Sequence, residues 1–323
     1  MKRKLIFLTT ALIFIISLTS CMLGNSSKPD NSDQPSTPEI PSEPSTPTNP
    51  DKPSTPAKPD KLNGYFFDGT SATSGDGTIE NPYNNLSYIK TLDLNLKHNI
   101  YLKRGSKFRG SIELSNASGT EKDKILITSY GDGELPIIDG NDKVGDAVVS
   151  LKNCNNITIS NLEIFDSSTT EADRRGVLIL GNNPNNNSKI ITYSNITLDG
   201  LYIHDINGIT DKENSGMSAE SKKTGGIHFG SLDGKAKFDN LIIKNCKIKN
   251  VSNVGIASWY KFGSTSNKVS PYSDKFKDTA YTNILIENND ISYIGKNAIF
   301  VRNLLGGYVK NNVVYETAIK CIS

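Results

Sequence analysis

The chain has 323 residues, with 36 Lys and Arg against 34 Asp and Glu, a formal net charge of +2 and 36% hydrophobic residues. A balance so near neutral gives no basis for a nucleic-acid partner, and the length allows one sizeable folded domain besides its leader. Of the four cysteines, Cys154, Cys246 and Cys321 cannot all pair internally and read as small buried residues, and no Cys/His cluster has zinc spacing.

Residues 1–21 open with Lys2-Arg3-Lys4, continue in an apolar run from Leu5 to Leu18 and end at Cys21. A basic start and an apolar stretch of this length make an export signal, too short for a comfortable membrane span. The end of the run, Leu18-Thr19-Ser20-Cys21, resembles the lipobox of bacterial lipoproteins. That resemblance implies cleavage before Cys21, diacylation of its thiol, and a place in the bacterial cell envelope, lipid-anchored and facing the extracytoplasmic side. An ordinary secretory signal with a coincidental Cys is the alternative. From Met22 to Lys61 the chain is nearly all Ser, Thr, Pro, Asp, Glu, Lys and Asn, with nine prolines at every third position from Pro35 to Pro59. Three residues make one turn of polyproline II, so this stretch predicts an extended spacer, at roughly 3 Å per residue on the order of 100 Å long.

The folded part is expected over residues 62–323. Leu86, Ile89 and Leu92 stand at helical spacing and predict a short amphipathic helix capping the start of the fold. Asn99–Gly105 and Ile125–Gly131 follow as the first rungs. One pattern then recurs five times: Ile157-Thr-Ile-Ser-Asn161-Leu-Glu-Ile164, Ile196-Thr-Leu-Asp-Gly200-Leu-Tyr-Ile203, Leu241-Ile-Ile-Lys-Asn245-Cys-Lys-Ile248, Ile284-Leu-Ile-Glu-Asn288-Asn-Asp-Ile291 and Gly307-Tyr-Val-Lys-Asn311-Asn-Val-Val314. Alternating aliphatic and polar residues give short strands with one buried face. An Asn column interrupted only by Gly marks a bend at positive φ, where side-chain amides can also bond from rung to rung. A further strand follows each copy, as in Val177–Leu180, Ile227–Gly230, Ile256–Trp259, Ile299–Arg302 and Ile319–Ile322. Such units bury their apolar faces only by stacking, which predicts a parallel β-helix. A β-sandwich would not repeat one Asn column in this way.

The entry segment from Tyr65 through Gly75-Asp-Gly77 to Pro82-Tyr83, and Gly131-Asp-Gly-Glu-Leu-Pro136-Ile-Ile-Asp-Gly140, resemble the right-handed β-helix proteins of the pectate lyase-like superfamily. Over residues 65–323 that resemblance implies an all-β, single-stranded, right-handed parallel β-helix solenoid with an N-terminal capping helix. It is specific for fold and weak for activity, because such folds carry lyases, hydrolases, epimerases and non-catalytic surface proteins alike. Lyases of the superfamily typically use carboxylate-held Ca²⁺ or a Lys or Arg base, and no lyase signature transfers here residue by residue.

Candidate site residues therefore come from strand geometry. His228, Trp259 and Arg302 occupy outward positions on successive rungs, with Tyr260 beside Trp259, a set suited to stacking a sugar and pairing an anion. His228 and Arg302 are the catalytic candidates, Trp259 and Tyr260 the binding ones. Long connections after Ile206 and Trp259 bring Asp211, Glu213, Lys222, Lys223, Lys261, Tyr272, Asp274 and Lys275 to the same side. A second candidate is Asp166 with Asp205, read as adjacent carboxylates able to hold Ca²⁺ or to act as acid and base. Arg174 and Arg175 are candidates for a uronate. The chain stops at Ser323 inside a strand, and an open coil end would expose apolar area, so a fragment of a longer reading frame is expected. The functional expectation is a polysaccharide lyase or glycoside hydrolase acting on extracellular polysaccharide. A non-catalytic glycan-binding or adhesin-like surface protein, or a purely structural one, is the alternative.

Overall fold

A computed structural model of the chain describes residues 62–95, 99–185, 187–210, 223–259 and 274–318. Cys21 with the leader and spacer, Tyr260, the loop positions 211, 213, 222, 261 and 272, and the strand expected at 319–322 lie outside them.

The fold is a parallel β-helix. One coil runs through Ile157–Ser160, Glu163–Asp166 and Arg175–Gly181, and the next through Ile191–Asp199, Tyr202–Ile206 and Gly225–Ser231. The third runs through Ala236–Lys244, Lys247–Val251 and Val254–Trp259. Corresponding strands of successive coils pair in parallel, as Ile196 does with Ile157 and Leu241, and Ile203 with Ile164 and Ile248. Among the described residues this stacks three sheets, in coil order a first of eight strands, a second of seven and a third of six. Alternate residues point in, so Ile157, Ile196, Leu198, Ile203, Ile227 and Ile256 join one continuous core while their neighbours face out. At the start, Leu86–Thr91 is a 3-10 helix rather than an α-helix. It is capped by the Asn85 side chain, which accepts from the Ser87 N–H, and its buried Leu86 and Ile89 close the coil.

The bend column is where the sequence places it. Asn161, Gly200, Asn245, Asn288 and Asn311 have φ of 54°, 64°, 54°, 55° and 54°. The amide ladder, however, stands in a different column. Gly200 interrupts the expected one, so Asn245 bonds Asp199 instead, at 2.7 Å. The continuous ladder is Asn156, Asn195 and Asn240, also at positive φ, where Asn195 and Asn240 each donate Nδ2 to the Oδ1 of the Asn on the rung before at 2.8 Å. Asn283 continues the column but bonds Asp239, at 2.8 Å. Cys154 and Cys246 are buried free thiols, pushed up by burial to about 11 and about 12, as small core residues would be.

The ladder yields a stability prediction. Asn240→Ala loses both the left-handed tolerance and the amide bond and lowers unfolding free energy by about 2 kcal/mol in urea denaturation, whereas Asn240→Gly keeps the bend and costs about 1 kcal/mol.

Candidate functional site

The outer face of the third sheet carries a cavity of about 480 Å³. It is built by Arg175–Gly181, Gly225–Ser231 and Val254–Trp259, whose inward residues Val177, Ile227, Phe229 and Ile256 are core. The alternate residues Leu178, Leu180, His228 and Trp259 face away from the coil, as the alternation predicts. Pairing sets Leu178 against His228 against Ala257, and Gly230 against Trp259. Gly230 matters for space: a Cβ there would lie 2.4 Å from that of Trp259. His228 and Trp259 stand in neighbouring columns and meet diagonally, the indole N–H donating to His228 Nδ1 at 3.1 Å.

Facing away from the coil is not the same as facing water. His228 is fully buried, and Trp259, only 9% exposed, packs with Ala147 and Leu178 in a small outer apolar cluster. The cavity's polar walls are Arg175, Lys223, Asp173, Thr224 and Asn253. The Arg175 guanidinium carbon lies 5.0 Å and the Lys223 ammonium 5.4 Å from the Trp259 ring centre. Arg175 also donates to the carbonyls of Lys223 and Asp146 and pairs with the Asp173 carboxylate, while its burial pulls its pKa down. Of the two arginines singled out in the sequence, Arg175 thus reaches the cavity.

Four of the expected roles change. His228 cannot exchange protons at ordinary pH: burial, with a smaller push from Arg175, takes its pKa down to about 3, and Nδ1 is occupied by Trp259. It positions the indole instead. The Arg302 guanidinium lies over the Phe300 ring, 5.3 Å from its centre, and its backbone is tied to the Ser258 hydroxyl. Asp166 and Asp205 do not form a pair. The register slips between His204 and Ile206, so Asp166 stands opposite Ile206, fully buried beneath Gly140. Its oxygens accept from the backbone N–H groups of Asp142 at 2.9 Å and Lys143 at 3.0 Å, and Arg174 Nε lies 3.9 Å away. Desolvation by that burial raises its pKa, against the pull of those hydrogen bonds. Arg174, 1% exposed, is spent on Asp142 and the carbonyls of Thr170 and Asn207, so it holds a loop rather than a uronate. No group of three or more His, Cys, Asp or Glu able to hold a metal ion occurs among the described residues, and the Ca²⁺ expected at Asp166 and Asp205 has no ligand set there.

Asp205 belongs to the second sheet's outer face. There His204 bonds Asp205 through Nδ1 at 2.8 Å and Glu163 through Nε2 at 3.1 Å. Burial opposes ionisation of Asp205, but the bonds from His204 and Asn250 outweigh it and its pKa is lowered. The His204 ring stacks on Tyr202 at 4.4 Å and on Phe165 at 5.5 Å. Of these residues, Asp205 alone was singled out from the sequence. The aromatic run Phe165, Tyr202, His204 was the available signal, at alternate positions of adjacent rungs.

No protein-family model matches the chain. It is similar to a lacto-N-biosidase of Bifidobacterium longum subsp. longum, 26% identical over 321 aligned positions that cover 75% of this chain and 19% of that protein. Its fold is similar to that of the GH136 lacto-N-biosidase from Eubacterium ramulus, with TM-score 0.62, 24% identity, and coverage of 79% of this chain and 45% of the other. An alginate lyase from a Paenibacillus species superposes at TM-score 0.38 with 18% identity over 68% of this chain and 72% of its own, too loosely to carry an argument. The chain thus spans less than half the length of the two lacto-N-biosidases it matches.

Two predictions rest on these buried groups. Asp166→Ala strips the acceptor from two backbone amides and leaves Arg174 buried beside the gap, costing about 3 kcal/mol or more in chemical denaturation. His228 has a folded pKa near 3 against about 6.5 unfolded, so below pH 6.5 the unfolded chain takes up a proton that the native one refuses. Stability therefore falls as pH drops from 6.5 towards 3, by about 2 kcal/mol at pH 5, and His228→Gln flattens that part of the profile measured by urea titration.

Proposed function

We propose that this chain is a carbohydrate-active β-helix working on extracellular glycan, with a sugar ring held in the cavity at Trp259. The observation that carries the reading is the make-up of that cavity: one indole wall, two cations and one carboxylate, converging on the outside of a rigid sheet. The cavity's apolar lining of Leu178, Leu180 and the small exposed part of Trp259 takes the apolar side of a pyranose, and Asp173, Lys223 and Asn253 offer acceptors and donors to hydroxyls. The similarity to a lacto-N-biosidase supports a glycan substrate, and our reading ranks glycoside hydrolysis ahead of lyase chemistry. Lipidation of Cys21 and the Pro-rich spacer complete the proposal, holding the domain off a bacterial envelope membrane.

A glycan-binding role without turnover is the second reading. It is favoured by the described lining, which contains one carboxylate, where hydrolysis by paired carboxyl groups needs two, and by the sealed imidazole of His228.

The test is a product assay on the full chain with neutral and acidic glycans, with and without Ca²⁺, following reducing ends and unsaturated uronides together. New reducing ends without unsaturation are expected, and Trp259→Ala lowers kcat/KM at least tenfold, about 1.4 kcal/mol. Unsaturated product would move the reaction to a lyase. Binding without either product would leave the second reading.

A further inference from the structure

The bends near the ends of the last four strands of the second sheet form a column of their own: Asp205, Asn250, Tyr293 and Glu316, at φ of 51°, 54°, 54° and 50°. Asp and Asn tolerate this left-handed backbone cheaply, whereas a bulky aromatic does not. Tyr293 is nevertheless there, 39% exposed, and the strained backbone aims its ring outward. Two adjoining hollows of about 320 and 310 Å³ meet at this column and share Asp205, Asn250 and Tyr293 as walls. Tyr202, His204 and Lys249 line the second hollow. The Asp205 carboxylate accepts from His204 and from the Asn250 amide, and Lys249 Nζ lies 5.2 Å from the centre of the Tyr293 ring. The Tyr293 hydroxyl is hydrogen-bonded to Glu316, and Tyr315 meets its ring edge-on at 6.4 Å.

We infer that this groove is a second sugar-binding site, separate from the cavity at Trp259, and that Tyr293 is its stacking platform for a neutral glycan. The occupant's class follows from the walls. An exposed ring standing beside a carboxylate and an amide suits the two kinds of surface a pyranose presents, its C–H face and its hydroxyl edge. Lys249 is offset by Asp205, and Glu316 and Glu163 stand beside them, so no positive field selects an acidic chain. Strands stand about 4.8 Å apart, so the three rungs of Asp205, Asn250 and Tyr293 span roughly 10 Å, long enough for more than one ring. The strain supplies the independent argument: a residue type that costs stability at its own position needs another reason to be there, and the groove provides it. The inference rests on the glycan reading for the class of ligand and not on any catalytic role.

The experiment is binding of the full chain to an array of neutral and acidic oligosaccharides, beside melting curves. Tyr293→Asn relieves the backbone and raises Tm by roughly 2 °C while weakening neutral-glycan binding at least tenfold. Tyr293→Phe drops the bond to Glu316, keeps the ring and keeps binding within about twofold. The groove's own share is read in the Trp259→Ala background, where the neutral-glycan binding that remains is lost on adding Tyr293→Asn. The inference is overturned if Tyr293→Asn binds like the parent, if only acidic glycans bind, or if no glycan binds. It is equally overturned if Tyr293→Asn loses stability, which would make the tyrosine a structural brace. Loss of turnover in Trp259→Ala with array binding that Tyr293→Asn then removes separates this groove from the cavity, and absence of any turnover leaves the array result standing by itself.

Discussion

Everything in this protein depends on a coil closing back onto its own start with each strand in parallel register with the one before. A strand bonded on both sides can neither slide nor change its twist alone, so the direction changes must fall at the same place on every rung. Those changes are made by single residues at positive φ. Asn161, Gly200, Asn245, Asn288 and Asn311 turn the first sheet into the second, and Asp205, Asn250 and Tyr293 end the second. Because the backbone conformation is set at one residue per corner, the rungs superpose and side chains line up in columns. The core, the amide ladder and both outer faces follow from that alignment.

The same constraint explains what could be read from the amino-acid sequence. Inward aliphatics at alternate positions and Asn at the bends are imposed locally and repeat, so strands, corners and the capping segment at Leu86–Thr91 were all visible. Which way a side chain pointed relative to the coil was visible too, and His228 and Trp259 do point outward. Whether an outward residue meets water was not, because that depends on Ala147, Leu178 and Arg175 arriving from other rungs to cover the indole. His228 therefore looked like a proton-transfer group and is a buried acceptor for an indole N–H.

The Asp166 and Asp205 pair failed for a different reason. Counting from the bend puts both in one column, but the register slips at His204 and Ile206, and a slip of one position exchanges the two faces of a strand. Nothing in the local sequence announces the slip. It accompanies the burial of Asp166 under Gly140, where its oxygens take the amides of Asp142 and Lys143. A carboxylate that seemed available for chemistry is the anchor of a loop, and Arg174 seals the same anchor from the other side. The reverse happened at Tyr293, which the column rule treats as one more bend residue although its side chain type breaks the rule.

The stacked corner column has a consequence for how such a surface can change over evolutionary time. Its members sit on separate rungs and each sets its own bend, so the residue type can differ from rung to rung even where neighbours bond, as the succession Asp205, Asn250, Tyr293, Glu316 illustrates. Duplicating a whole coil would lengthen the groove by one strand spacing, about 4.8 Å, and leave every existing contact in place. Recognition on this scaffold is therefore graded in whole rungs, with ligand length set by the number of coils and ligand identity by the residues that decorate them.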